Sequence, residues 1–308
     1  MNKFTIVSAA VATALLAGCG GSSSSSDDKD LDIPTGGEAE VCFNPTLWQD
    51  GNHEATWQTR WSEESNFYPQ TERTQVTNDV DFEEHKFITQ VEYLSNHSEA
   101  PLDMKGKPQP RLQSKSRNSS WQNFEYYVID EQSASVSYAG DYYVNDFDGS
   151  VEEDIDVNSP AAPQWLFGSD KGQTTTANYT SEFSFLIDGE LEERLVYGQN
   201  ERKVTFNGFD TIKVNGKSVE ACSFTINSTL EGNADGDVWT EIEKLEQWID
   251  KETGLMVKSI RHFLDIEDGV VDEDYEEKIL EEYSIDGEVI FSAEELPEDD
   301  LEIVHPIA

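Results

Sequence analysis

Residues 203–226 run KVTFNGFDTIKVNGKSVEACSFTI, and Asn-Gly occurs twice within them, at Asn207-Gly208 and Asn215-Gly216. Asn-Gly tolerates positive φ at both central positions of a type I′ turn, the two-residue connection whose twist matches the antiparallel strands on either side. Three short strands joined by two tight turns are therefore predicted here. The same grammar recurs along the chain. Asp188-Gly189 separates two strand-like runs in SEFSFLIDGELEERLVYG, and Asp235-Gly236 and Asp268-Gly269 mark two further turns. FITQVEYL (Phe87–Leu94) and FEYYVID (Phe124–Asp130) are rich in aromatic and β-branched residues at strand length. In VWTEIEKLEQWID, the residues Trp239, Ile242, Leu245 and Trp248 fit helical spacing as well as alternation. In YEEKILEEYSI, Tyr275, Ile279 and Tyr283 share one face of either element. Gly254 marks a turn between two extended runs, which favours strands for both. The fold expected is mainly β: an antiparallel, hairpin-connected curved sheet or half-barrel, in one or two β-rich units.

Composition divides the chain into five stretches. Residues 1–18 have the parts of a signal peptide: Lys3, then an apolar run from Phe4 to Ala14 that is too short to span a bilayer as a helix. Residues 19–40 (CGGSSSSSDDKDLDIPTGGEAE) lack an apolar period and are expected to form a Gly/Ser/Asp tether. Residues 41–150 form a β-rich first part, 151–290 a β-meander, and 291–308 an acidic tail. One interval, Pro101–Arg117, has three prolines and five basic residues (Lys105, Lys107, Arg111, Lys115, Arg117). It is expected to be a loop or linker lying against the protein's own acidic surface, with lipid headgroups or an acidic partner as the alternative contact.

Leu16-Ala17-Gly18-Cys19 resembles the lipobox of bacterial lipoproteins. That resemblance implies cleavage before Cys19 and acylation of its sulfur. With lipid on both sulfur and amine, the anchor would be stable. Gly20, where an Asp favours inner-membrane retention in enterobacterial members, points to the outer membrane. The chain has three cysteines, and with Cys19 given to lipid, Cys42 and Cys222 remain. In an oxidising compartment they can pair, closing a loop of about 180 residues; two buried free thiols are the alternative. A second likeness lies in the later half. Val214-Asn215-Gly216, Ala221-Cys222-Ser223-Phe224, Trp248 and Gly254-Leu255-Met256-Val257-Lys258 resemble a pattern in uncharacterised periplasmic and lipoprotein β-domains. That pattern covers roughly residues 160–285, and the broader resemblance is to curved antiparallel sheets of the LolA/LolB-like kind. That likeness implies a hydrophobic concavity able to shelter acyl chains, and no catalytic residue.

Charge excludes some partners. There are 63 Asp+Glu against 21 Lys+Arg, a net charge of −42. Phosphate backbones need neutralising by bases, so nucleic acid is not an expected partner. A solvated acidic surface is the expected reading, and a collector of cations or basic partners the sharper one.

No chemical motif emerges. His53, His85, His97, His262 and His305 show no zinc-ligand spacing and are expected to be scattered surface residues. Gly216-Lys217-Ser218 lacks the first glycine of a phosphate loop, since position 211 is Thr, and is better taken as a hairpin turn. The Asp-rich segments beginning at Asn145 and Asn233 gather oxygen ligands as calcium requires, yet neither matches the twelve-residue loop; hairpin turns explain them without metal. The doublets Tyr126-Tyr127 and Tyr142-Tyr143 should put one ring in and one out on a strand. No metal, cofactor or catalytic residue is therefore expected. The leading expectation is a non-enzymatic outer-membrane lipoprotein held by lipid on Cys19. It would bind or scaffold an envelope protein, lipid or polysaccharide. The runner-up is an envelope glycan hydrolase whose carboxylates the sequence does not single out.

Overall fold

The computed structural model describes residues 33–63, 65–94, 120–147, 150–234, 237–267 and 270–293. Cys19, the basic interval 101–117, His97 and His305 lie outside them, as do the turn dipeptides at 148–149, 235–236 and 268–269.

Thirteen strands follow one another in a meander: β1 (Gly51–Arg60), β2 (Tyr68–Phe82), β3 (His85–Tyr93), β4 (Ser120–Asp130), β5 (Ser135–Phe147), β6 (Ser150–Leu166), β7 (Thr174–Ile187), β8 (Glu190–Val214), β9 (Lys217–Ala234), β10 (Asp237–Asp250), β11 (Met256–Glu267), β12 (Val270–Ile285) and β13 (Glu288–Ser292). All neighbours are antiparallel, and β1 also pairs with β12, so the first twelve strands close into a barrel. The sheet thus goes further than the expected curved sheet or half-barrel. The division expected at 150/151 falls within the first residues of β6, inside this one continuous sheet.

Closure depends on a matched seam. His53 of β1 stands opposite Ile285 of β12 and Arg60 opposite Glu277, with a bulge at Thr56/Trp57. Gln58 donates to Glu281 at 2.7 Å, and the Arg60 guanidinium meets Glu277 at 2.5 Å. Lys258 of β11 reaches the other oxygen of Glu277 at 2.8 Å. Burial alone would raise the Glu277 pKa, but the two cations and the Tyr275 hydroxyl hold it below the usual range.

Turn chemistry sets the hairpins. Asn215 and Gly216 have φ of 45° and 90°, and Asp188 and Gly189 have 52° and 77°, the double positive φ of the predicted type I′ turns. Asp286-Gly287 makes a third such turn between β12 and β13. Asn207-Gly208 does not turn. It lies inside β8 as a bulge between Phe206 and Gly208, with Gly208 at φ 115°. The Asn207 amide donates across to Ser223 and Thr225 of β9, so the strands stay paired past it. Both ambiguous later segments are strands, β10 and β12.

Around the plug the strands turn their polar residues outward. On β1 the row His53, Ala55, Trp57, Thr59 is buried, while Asn52, Glu54, Thr56, Gln58 and Arg60 face out. On β9 the inward row runs Cys222, Phe224, Ile226, Ser228, with Thr225, Asn227 and Thr229 outside. Tyr127 faces inward and Tyr126 outward, where it stacks on Phe82 with centroids 3.9 Å apart. The β2–β3 hairpin is folded over the outer face of β4–β6, burying Phe82, Ile88, Tyr126 and Ala139 in a small external core.

Twelve strands enclose more space than their own side chains fill; about eight is the number at which inward side chains just meet. At one end the chain supplies the missing material itself. Residues 33–48 cross that end through two 3-10 turns, Glu38–Cys42 and Pro45–Trp48. The expected tether, placed at 19–40, therefore stops short of 40: Ala39 is fully buried and its N–H donates to Ser169 at 3.1 Å. Contact is close enough that a Cβ on Gly168 would lie 2.0 Å from the Pro34 carbonyl oxygen. The Cys42–Cys222 disulfide, spanning 180 residues, pins this plug to β9. Ala39, Cys42, Val136, Leu166, Phe167, Phe206, Phe224 and Ile249 form the core around it.

Candidate binding site

Above the plug, the barrel retains a cavity of about 200 Å³. Its floor is Phe43, Leu47 and Trp48 of the plug with Phe167, Leu255 and Met256. Its walls are the inward rows of four consecutive strands: His53, Ala55 and Trp57 from β1, Glu72, Thr74 and Val76 from β2, Val91 and Tyr93 from β3, Glu125 and Tyr127 from β4. Register aligns these rows. Ala55 faces Glu72, Val76 faces Val91, and Val91 faces Glu125. Period-two alternation turns each row inward, and the plug decides how deep the space is.

The lining is mostly aromatic and aliphatic, with a few polar groups placed singly. Trp48 packs against Tyr127 at 5.2 Å and against Trp165 at 6.1 Å. The Trp165 indole N–H is satisfied by Gln247 at 2.6 Å. The Trp57 indole N–H and the His53 Nε2 have no hydrogen-bond partner. His53 Nδ1 lies 2.6 Å from the Tyr283 hydroxyl, which fixes the ring with Nε2 turned towards the Gln49–Gly51 backbone. Burial lowers the His53 pKa, so the ring is neutral. Glu125 accepts the Tyr93 and Tyr127 hydroxyls on one oxygen, at 2.8 and 2.7 Å. Burial raises its pKa, and nearby Asp141 and Glu72 add to that, against the two tyrosines. The second lining carboxylate, Glu72, is paired with Lys278 at 3.0 Å.

Beyond the cavity the inward rows become acidic. Asp141 stands opposite Asp156, Tyr143 opposite Asp154, and Leu230 of β9 opposite Glu241 of β10. Asp156 is pushed up to about 7, chiefly by burial and then by Asp141 and Glu241. Arg202 and Arg261 both approach Glu243, the latter at 2.6 Å. The lumen therefore grades from an apolar, closed floor to an acid-rich upper part.

Of the residues singled out in the sequence, Cys42 and Cys222 are joined and hold the floor of this site. Cys19 lies outside the described residues. Among those residues no His/Cys/Asp/Glu group is arranged to hold a metal. The Asp-rich turns at 148–149 and 235–236 fall outside them. His53 departs from the expectation of scattered surface histidines: it is buried and lines the cavity. The alternation His53, Ala55, Trp57, Thr59 was present in the sequence, but short, polar-interrupted runs of this kind carry a weak strand signal. Glu125 sits inside FEYYVID, where the sequence gives no reason to separate it from the other carboxylates.

The fold and site together define a class: an antiparallel twelve-stranded barrel, plugged at one end and hollow above the plug. Compared with family models, curated proteins and solved structures, the chain matches none of them.

Proposed function

We propose that this protein is a non-enzymatic, lipid-tethered binding protein that holds a small, largely apolar envelope compound inside its barrel. The observation that carries the reading is the cavity. It is formed by aromatic and aliphatic walls, closed below by the plug, and supplied with single unsatisfied polar atoms at Trp57 and His53. Mostly apolar pockets with a few convergent polar groups are the usual form of small-molecule sites. A dry apolar cavity of about 150 Å³ takes up benzene, so one of this size suits a single ring or a short acyl segment. Membrane attachment through Cys19, with the barrel on the outer membrane, belongs to the same proposal. The lipobox-like Leu16-Ala17-Gly18-Cys19 supports it.

Calorimetric titration with 2-phenylethanol tests the site. Binding is expected in the wild type, with at least a tenfold loss in Val76→Trp, which fills the cavity from β2 while circular dichroism stays that of the barrel. No binding to the wild type, or equal binding to the filled variant, rejects the proposal. For the tether, Cys19→Ala should abolish metabolic palmitate labelling and move the protein to the soluble fraction. A labelled, membrane-bound Cys19→Ala protein would reject that part.

A further inference from the structure

The reading of the cavity as a ligand site leaves its ligand unspecified, and the placement of charge narrows it. Two carboxylates line the cavity, Glu72 and Glu125. Lys278 answers the first at 3.0 Å. Glu125 receives two tyrosine hydroxyls, and among the described residues no Lys, Arg or His forms an ion pair with it. A carboxylate brought into an apolar cavity without its cation is costly, since hydrogen bonds recover only part of the lost hydration. Lys278 is shared, since its charge is felt by Glu125 as well as by Glu72 and Glu276, so one cation serves several carboxylates and the site is short of positive charge.

The surroundings of Glu125 indicate what kind of cation fits. One of its tyrosine donors, Tyr127, packs against Trp48, and Trp48 against Trp165. A carboxylate beside aromatic faces is the setting in which organic ammonium groups are held, the ring quadrupoles adding to the ion pair. A hydrated inorganic cation would find few oxygen ligands on such walls. The other polar features point the same way. Trp57 is 6 % exposed and His53 is 4 % exposed, both line the cavity, and the Trp57 N–H and His53 Nε2 are unpartnered. The Trp57 N–H offers a second polar anchor besides the Glu125 carboxylate.

We propose that the cavity binds an organic ammonium compound with a ring-sized apolar body, its cationic nitrogen paired with Glu125. This rests on the cavity being a ligand site and adds the charge of the ligand. The acid-rich upper lumen fits the assignment, because a cation entering from that side meets attractive potential along the way.

Three near-isosteric compounds test it in the intact protein: phenethylamine, 2-phenylethanol and phenylacetate, titrated calorimetrically at about neutral pH. The amine is expected to bind at least about tenfold more tightly than the alcohol, and the acid to give no measurable heat. In Glu125→Gln, which keeps an acceptor for Tyr93 and Tyr127, amine affinity should fall to that of the alcohol. An alcohol that binds as well as the amine, or an acid that binds best, overturns the ammonium assignment while leaving the cavity reading intact. A preference for amine that survives in Glu125→Gln overturns the role of Glu125. Failure of all three ligands to bind overturns the cavity reading and this inference together. The wild-type comparison needs no variant, so a Glu125→Gln protein that failed to fold would not protect the proposal.

Discussion

Asp156 stands opposite Asp141 on the inner face of the barrel, and burial, Asp141 and Glu241 together push its pKa up to about 7. In the unfolded chain an Asp titrates near 3.9. Between those two values the folded protein keeps a proton that the unfolded chain has lost, so stability falls as pH rises through this window. The penalty is complete above about pH 7. Asp156→Asn removes the charge and keeps the shape. It should melt higher than the wild type at about pH 8, with the difference shrinking towards about pH 4 in paired thermal scans. A variant that melts lower at about pH 8 would show that the Asp156 charge is being used rather than suppressed. Residues of this kind are the least legible part of the sequence. Asp156 and Glu125 are two of 63 acidic residues, and only the register of distant strands separates them from solvated neighbours. His53 was equally hidden, because its burial comes from a plug and a strand, β12, more than two hundred residues away.

At the scale of the element, the turns were legible and the bulges were not. Asn215-Gly216 and Asp188-Gly189 turn because positive φ is intrinsic to those dipeptides. Asn207-Gly208 carries the same signal but spends it on a bulge, because β8 and β9 remain paired on either side. Local preference there yields to the neighbouring strand. The seam was not legible either, since β1 and β12 meet only after the whole meander has curved round. Its chemistry is nonetheless concentrated in one residue. Glu277 is 4 % exposed and takes both Arg60 and Lys258. Glu277→Ala would leave two partly solvated cations unpaired at the closure line and is expected to cost about 1–3 kcal/mol in chemical denaturation. Because the Glu277 pKa is held low, its contribution is present above the ordinary glutamate range and is lost only as pH falls through the lowered value. A loss under about 1 kcal/mol would mean that the seam is held by its backbone ladder alone.

For the whole molecule, the meander was readable from turn spacing but closure was not. Whether a curved sheet stops as a half-barrel or meets its own first strand depends on strand number, tilt and stagger, none of which a local pattern encodes. A barrel this wide needs material at its floor, and the plug of residues 33–48 supplies it. The chain-entropy model assigns a loop of 180 residues about 5 kcal/mol. The Cys42→Ser, Cys222→Ser double variant should therefore melt well below the oxidised protein. It should also lose affinity for 2-phenylethanol, because the cavity floor is released. Unchanged binding in the double variant would mean that the plug seats without its bond.

That bond also sets how the protein answers a pull. Tension applied upstream of Cys42 passes through the disulfide into β9, which is flanked by β8 and β10, and bypasses residues 43–50 and the seam strand β1. Without the bond the same tension would travel along the backbone and peel β1 from its partners one pair at a time. The oxidised barrel is thus gripped by its wall and the reduced one by its loose end. Only the first resists unravelling from the N-terminal side.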